Sequence, residues 1–478
     1  MFTNASIDGM EHRVERQVTI VDHPPNSGAV LRAIHRNARH SIYVGSGPHG
    51  WVWAGAQRST LVLGPPRSGK TSSLVIPNIL LSDGPVVATS TKPDVMHATA
   101  RVRSSDGAGL LFDPSGEIDC PPGVERVGWS PLTSARAWDH AVQTADAMVG
   151  ASRLGAPNAA EHHWSERAGA LLSTLLHAAA LEESTMRQVL RWIDRHDGAE
   201  AIGILANAGQ DSPATDLLTG LLATDIREQS GIWSTASGVL AAYRTDAAMA
   251  STLAPALSPE AFCDGPHTLY VCSTGRRQRQ FAPLVVGAIS DVRDAAYTRA
   301  RRTPDAPPVL LALDEVANIA PLPDLPAMVS EGAGQGLLVL ACLQDLSQAR
   351  QRWGRAAAEG FLSLFGTTVV LPGIADMTTL RDISALAGTR PVLETSVTRS
   401  IGHWGRVRPS MSRAVVERPR LTVDAVARGV PGRAVMLGPD ATVRDVALTP
   451  AHREQPWRGL LPAAQRMDGA ARGTGRVR

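Results

Sequence analysis

At 478 residues, with 44% hydrophobic and 19% charged residues, the chain can bury a large core and hold more than one domain. A net charge of +2 excludes whole-chain attraction to nucleic acid, so any basic binding surface must be local. Cys120, Cys263, Cys272 and Cys342 lie far apart with no C-x-x-C pair, which excludes a disulfide framework or a cysteine zinc site and points to a reducing cytoplasm.

No apolar run reaches the roughly 18 residues of a membrane span, and no signal peptide opens the chain. Residues 1–57 form a weakly patterned N-terminal segment. Within it, Gly45-Ser46-Gly47-Pro48-His49-Gly50 matches G-x-G-x-x-G, but Pro48 and the following Trp51-Val52-Trp53 do not open a helix. No acidic residue stands about 20 positions on, so this stretch reads as a turn between short strands.

Residues 58–130 read as the first part of a nucleotide-binding domain. A short buried strand at 59–63 leads into Gly64-Pro65-Pro66-Arg67-Ser68-Gly69-Lys70-Thr71, a match to G-x-x-x-x-G-K-[ST], and an apolar helix over 71–81 follows, with Ser72 in its first turn. Strand, glycine loop and helix N-terminus in succession aim backbone N–H groups at one point, where the helix dipole adds positive potential. Lys70 would reach the β- and γ-phosphates of ATP, and the Thr71 hydroxyl would hold Mg²⁺. Lys70 and Lys92 are the chain's two lysines among many arginines, as if the compact ammonium were reserved for a tight loop. Strands at 85–90 and 110–112, with a helix at 95–103 between them, give the alternation of a parallel α/β sheet. Asp113 reads as a cap of the next turn or as a site residue.

From 131 to 260 strand patterning stops. Helical periodicity runs through 135–149, 161–182, 185–195, 215–227 and 232–243, which marks an all-α insertion. His162, His163 and His177 read as packing or surface residues. Residues 261–450 form the second part of the nucleotide domain. A strand at 268–272 runs into Gly275-Arg276-Arg277-Gln278-Arg279-Gln280, a loop that is either a solvated turn or a reach toward a phosphate backbone or a neighbouring subunit's nucleotide. The apolar run 307–313 ends in Asp314-Glu315, the form of a Walker B strand. Asp314 would orient Mg²⁺ through water, and Glu315 would polarise the attacking water. A buried strand at 337–343 ends at Gln344, which positions the lytic water, senses the γ-phosphate, or merely caps the helix 346–352. A strand at 367–371, a helix at 377–387, and a short helix and hairpin within 421–448 follow. The Arg-, Gly- and Ala-rich tail 451–478 reads as disordered.

These motifs together resemble the TraG/TraD-like coupling proteins of conjugation and type IV secretion. GPPRSGKTSSLVIPNIL at 64–80, STKPD at 90–94, FDP at 112–114 and the block LLALDEVANIAPLPDLPAMVSEGAGQGLLVLACLQDLSQARQRWG at 310–354 carry the resemblance, continued by LRDISALAG at 380–388. It implies a RecA-like P-loop fold with a predominantly parallel sheet, and a hexameric, DNA-stimulated ATPase. Such an enzyme recruits a relaxase bound to single-stranded DNA and feeds it to a secretion channel from the cytoplasm, free or peripheral at the inner face of the membrane. Two departures stand out. Relatives usually carry N-terminal transmembrane helices, which this sequence lacks. Relatives also often place an arginine before the glutamine strand, where this chain has Ala333; either another arginine substitutes or ATP is hydrolysed poorly. Arg276, Arg277 and Arg279 are the nearest substitutes by position, and Arg350 and Arg352 follow the glutamine strand on a helix that points elsewhere. Three readings stay open: a secretion-coupled motor, an FtsK/HerA-type translocase on duplex DNA, and a nucleotide-dependent adaptor.

Overall fold

The structure, a computed structural model, describes residues 28–153, 159–209, 212–273, 278–401, 407–439, 442–463 and 465. These residues form fourteen strands: β1 (Tyr43–Gly47), β2 (Gly50–Trp53), β3 (Thr60–Leu63), β4 (Val86–Ser90), β5 (Gly109–Phe112), β6 (Val124–Arg126), β7 (Thr268–Cys272), β8 (Val309–Leu313), β9 (Leu337–Leu343), β10 (Thr367–Val370), β11 (Thr389–Ile401), β12 (Val407–Pro419), β13 (Arg433–Leu437) and β14 (Val443–Ala447). Twelve make one sheet in the order β2-β1-β14-β13-β10-β3-β9-β8-β4-β7-β5-β6. From β10 to β6 every pairing is parallel, and from β10 back to β2 every pairing is antiparallel. The fold is α/β with a mostly parallel sheet, as expected.

The central strands are apolar throughout because both faces are covered. Leu61, Leu63, Leu311, Leu313, Val339 and Ala341 point into one core. Val62, Leu310, Ala312, Leu338, Leu340 and Cys342 point into the other, shared with Leu74, Val75 and Ile79 of the helix that follows β3. That helix opens with a π-helical turn, Thr71–Val75, before Ile76–Leu81. Ile76 N–H donates to the Thr71 carbonyl, so the next carbonyl, that of Ser72, would be served by residue 77. Residue 77 is proline and has no N–H. Ala451 N–H donates to Ser72 instead, at 2.8 Å.

The insertion leaves after β6 and returns before β7. Its long helix Ala159–Leu181 is packed by Trp138–Ser152, Met186–Arg195, Ala199–Ala208, Pro213–Leu222 and Ile226–Val239. The expected single helix over 215–227 is two helices, because Asp225 adopts an extended conformation and its side chain accepts from Arg227 N–H, starting a new N-terminus. The two crossings of the insertion are bonded to each other: Gly128 N–H donates to Pro255 O at 2.9 Å, and Leu257 N–H donates to Gly128 O at 2.8 Å. A β-carbon at Gly128 would lie 1.8 Å from the Ser251 carbonyl, so this neck requires glycine.

Three regions go beyond or against the sequence reading. The Gly45–Gly50 stretch is the turn of the β1–β2 hairpin, as expected, but that hairpin joins the main sheet through β14. β11 and β12 form a separate two-stranded arm whose Leu393, Val397, Met411 and Val415 are exposed. The expectation of a disordered tail from residue 451 is corrected for 451–463. Trp457 is fully buried with Leu31 and Tyr43, and its ring stacks on Trp51 at 4.9 Å and 16°. One aromatic side chain outweighs the polar composition around it. Residues 464 and 466–478 lie outside the described residues.

Trp457→Ala should therefore cost about 3–5 kcal/mol locally. A urea titration followed by protection of the Ser72–Val75 amides should show this turn loosening at lower denaturant than in the unsubstituted protein.

Candidate nucleotide site

The C-terminal tips of β3, β9 and β8 stand side by side, since Leu63 pairs with Leu343 and Leu313 with Ala341. This register brings the glycine loop, Gln344 and Asp314-Glu315 to one edge of the sheet. Gly64 N–H donates to the Leu343 carbonyl at 3.1 Å, anchoring the loop beside Gln344. The loop then reverses through two residues in the left-handed region, Arg67 (φ 63°) and Gly69 (φ 99°). Alternation of left- and right-handed conformations turns successive N–H groups toward one centre and makes an anion-binding nest.

Lys70 is buried, and its ammonium donates to the Gly64 and Pro65 carbonyls, the latter at 3.0 Å. Thr71 Oγ1 donates to Asp314 Oδ2 at 2.5 Å, joining the two motifs across 243 residues. Thr89 Oγ1 donates to the Asp314 carbonyl at 3.1 Å and fixes the end of β8. Burial raises the pKa of Asp314, and Glu315 adds to the rise, while the Thr71 hydroxyl and Lys70 oppose it. Glu315 follows in the left-handed region (φ 55°, ψ 49°), and its Oε2 accepts from Asn318 Nδ2 at 3.3 Å. A non-glycine residue there is strained, and this backbone conformation ends the β8 line at Glu315.

The residues fit a nucleotide with a divalent cation. Ser68 Oγ is buried without a hydrogen-bond partner among the described residues, as suits a group awaiting a phosphate oxygen. The Thr71 hydroxyl and the Asp314 carboxylate offer hard oxygens of the kind that suit Mg²⁺ and its bound water. Gln344 is half-buried, and its backbone N–H donates to Gln348 Oε1 at 2.8 Å. Gln344 does not cap the following helix; Asp345 does, by accepting from Ser347 N–H at 2.8 Å.

Other sequence-derived residues lie elsewhere. Asp113 caps its turn, with Ser115 N–H and Ile118 N–H both donating to its carboxylate at 2.9 Å. His177 Nδ1 lies 2.8 Å from the Ala135 carbonyl, and His162 and His163 face Glu166 and Glu228. Arg276 and Arg277 fall outside the described residues. Arg279 is exposed near the start of Gln278–Arg302. Arg350 is held by Asp376, and Arg352 donates to the Ala151 and Arg153 carbonyls. Burial, helped by Arg279, lowers Arg352 to about 10. Ala333 sits in the short 3-10 turn Gly332–Gln335 before β9. Sequence reasoning missed Asn318, Thr89 and Gln348; only the D-E-x-x-N spacing could have flagged Asn318.

The family model for type IV secretory system conjugative DNA transfer matches residues 17–428. The chain belongs to this family. It is 25% identical over 451 residues to a conjugal transfer protein TraG of Escherichia coli, covering 86% of this chain and 66% of that one. A second TraG of Escherichia coli is 25% identical over 408 residues, covering 78% and 61%. The chain thus spans just under two thirds of the length of these relatives. Among solved structures, the conjugative coupling protein TrwBdeltaN70 in its unbound monoclinic form superposes with a TM-score of 0.66 at 19% identity, over 88% of this chain and 91% of that one. TrwB in complex with ADP and Mg²⁺ superposes with a TM-score of 0.62 at 19% identity, over 88% and 92%. This family member therefore has the TrwB fold, and the expected resemblance holds. No helix among the described residues is long and apolar enough to cross a membrane.

Relief of the backbone strain offers a check on the Glu315 geometry. Glu315→Gly should raise the stability of the nucleotide-free protein by about 1 kcal/mol, since glycine tolerates this conformation. A rise in the thermal midpoint of the nucleotide-free protein is the expected result.

Proposed function

We propose that this protein is an ATP-hydrolysing coupling protein. In this reading it recruits single-stranded DNA carrying a relaxase and passes it to a type IV secretion channel. The observation that carries the reading is the Thr71–Asp314 hydrogen bond of 2.5 Å, which unites phosphate loop and acidic strand tip in a chain of the conjugative DNA transfer family. The nucleotide complexes of TrwB support ATP and Mg²⁺ as the cofactors.

The roles follow from the geometry. Residues 64–72 cradle the phosphates. Lys70 exchanges its loop carbonyls for the β- and γ-phosphate oxygens, so no desolvated charge is left unpaired in either state. Thr71 would hold Mg²⁺ through its hydroxyl, and Asp314 would orient the ion through water. Mg²⁺, when bound, neutralises charge building between the β- and γ-phosphates. Glu315, oriented by Asn318, takes a proton from the attacking water. Gln344, on the tip between the loop and Asp314, positions that water or reads the γ-phosphate. A homo-oligomer, hexameric by family resemblance, would let an arginine act on a neighbour's nucleotide. Of the proposed residues, Arg279 is exposed as such a role requires. Placement in the cytoplasm, free or peripheral at the inner face of the membrane, completes the reading.

Turnover by purified protein, with and without single-stranded and duplex DNA, tests it. Lys70→Ala should abolish hydrolysis and weaken ATP binding, whereas Glu315→Gln should retain ATP without turning it over. Stimulation by duplex alone would favour the translocase reading, and binding without turnover would favour an adaptor. Gln344→Ala should slow hydrolysis about 10- to 1,000-fold with ATP affinity little changed; full activity in that variant would remove Gln344 from the mechanism. DNA affinity should fall steeply with salt, as binding through phosphates demands, and a flat titration would argue against a DNA substrate.

A further inference from the structure

The helix Gly28–Asn37 packs against the end of the phosphate-loop helix, and three side chains converge where they meet. His35 Nδ1 lies 3.2 Å and His40 Nδ1 2.8 Å from Asp83 Oδ1. One ligand atom from each residue lies within 4.8 Å of the other two. We propose that His35, His40 and Asp83 form a binding site for a divalent transition cation of the zinc, cobalt or nickel class.

The donor set decides the class. Two imidazoles and one carboxylate suit borderline ions and not Mg²⁺, which prefers oxygen. The spacing fits as well: bonds of about 2.0–2.1 Å in a tetrahedron set ligand atoms about 3.3 Å apart. The 3.2 Å separation at His35 lies near that value; the 2.8 Å separation at His40 is shorter, so the partly exposed His40 would draw back from Oδ1 to admit an ion. The cluster meets solvent at His40, whose side chain is 25% exposed, while those of His35 and Asp83 are 7% and 3% exposed, so a fourth ligand would come from water on the His40 side.

Hydrogen bonding alone leaves this carboxylate poorly served. Both imidazoles crowd Oδ1, while Oδ2 is buried with no hydrogen-bond partner among the described residues. The cation beside it, Arg36 Nη1, stands 3.7 Å away on a largely exposed side chain. A cation can draw on both oxygens and removes the imbalance. The backbone is organised for the same end. Arg39 (φ 53°) and His40 (φ 55°) are both left-handed, and His40 N–H donates to the His35 carbonyl at 2.9 Å, so the two imidazoles are held as a pair. A bound ion would lock the N-terminal helix to the turn that ends the phosphate-loop helix. The site stands independently of the proposed ATPase activity.

The test uses the full chain, stripped with chelator and free of nucleotide and Mg²⁺. Titrated with Co²⁺, it should take up one equivalent with the visible absorption of a four-coordinate ion and a Kd below about 10 μM, and Zn²⁺ should displace the Co²⁺. His40→Ala, at a partly exposed position, and the near-isosteric Asp83→Asn should each weaken binding about 100-fold or more while keeping the far-UV circular dichroism of the parent. Zn²⁺ should raise the unfolding temperature of the parent and leave that of both variants unchanged. Absence of Co²⁺ absorption in the parent, or its persistence in both variants, would overturn the assignment and leave the cluster a hydrogen-bonded clasp.

Discussion

A single hydrogen bond between Thr71 and Asp314 sets the terms for the rest of the molecule. Its partners are carried by β3 and β8, which do not touch; β9 lies between them. The bond can form only if three parallel strands end at one level, and that level is fixed by register. Register in turn is fixed by side chains that alternate between two cores, since a slip of one residue would send Leu61 and Leu63 to the wrong face. The large apolar investment in the sheet thus serves to hold a few polar atoms within reach of one another.

The same loop depends on distant chain for its backbone. Pro77 forces the first turn after the loop to widen and strands the Ser72 carbonyl, which Ala451 then satisfies. Ala451 is held in place by the packing of Trp457 against Tyr43 and Trp51. Both ends of the described chain therefore converge on the phosphate-loop helix. Nucleotide-driven movement of that helix would be felt in the antiparallel edge of the sheet.

The nucleotide motifs were legible in the sequence because each is local: a glycine loop between strand and helix, and carboxylates at the end of an apolar run. The order of the strands was not, because pairing β3 with β9 and β10 is decided by contacts hundreds of residues apart. The tail misled for a related reason. Its composition is polar, and nothing near Trp457 in sequence announces the aromatic partners at residues 43 and 51. Asp225 shows the opposite failure, where a periodic apolar pattern hid a capping residue that divides one expected helix into two. Thr89 escaped notice because it acts on Asp314 across neighbouring strands, through geometry that no composition or period records.

The neck at Gly128 has a consequence for how such a protein diversifies. Chain entering and chain leaving the helical insertion are bonded side by side, so the module begins and ends at one place. A graft across that junction could exchange the whole helical module without shifting a single strand of the sheet. The tight approach to Ser251 marks a position at which such an exchange must keep a glycine.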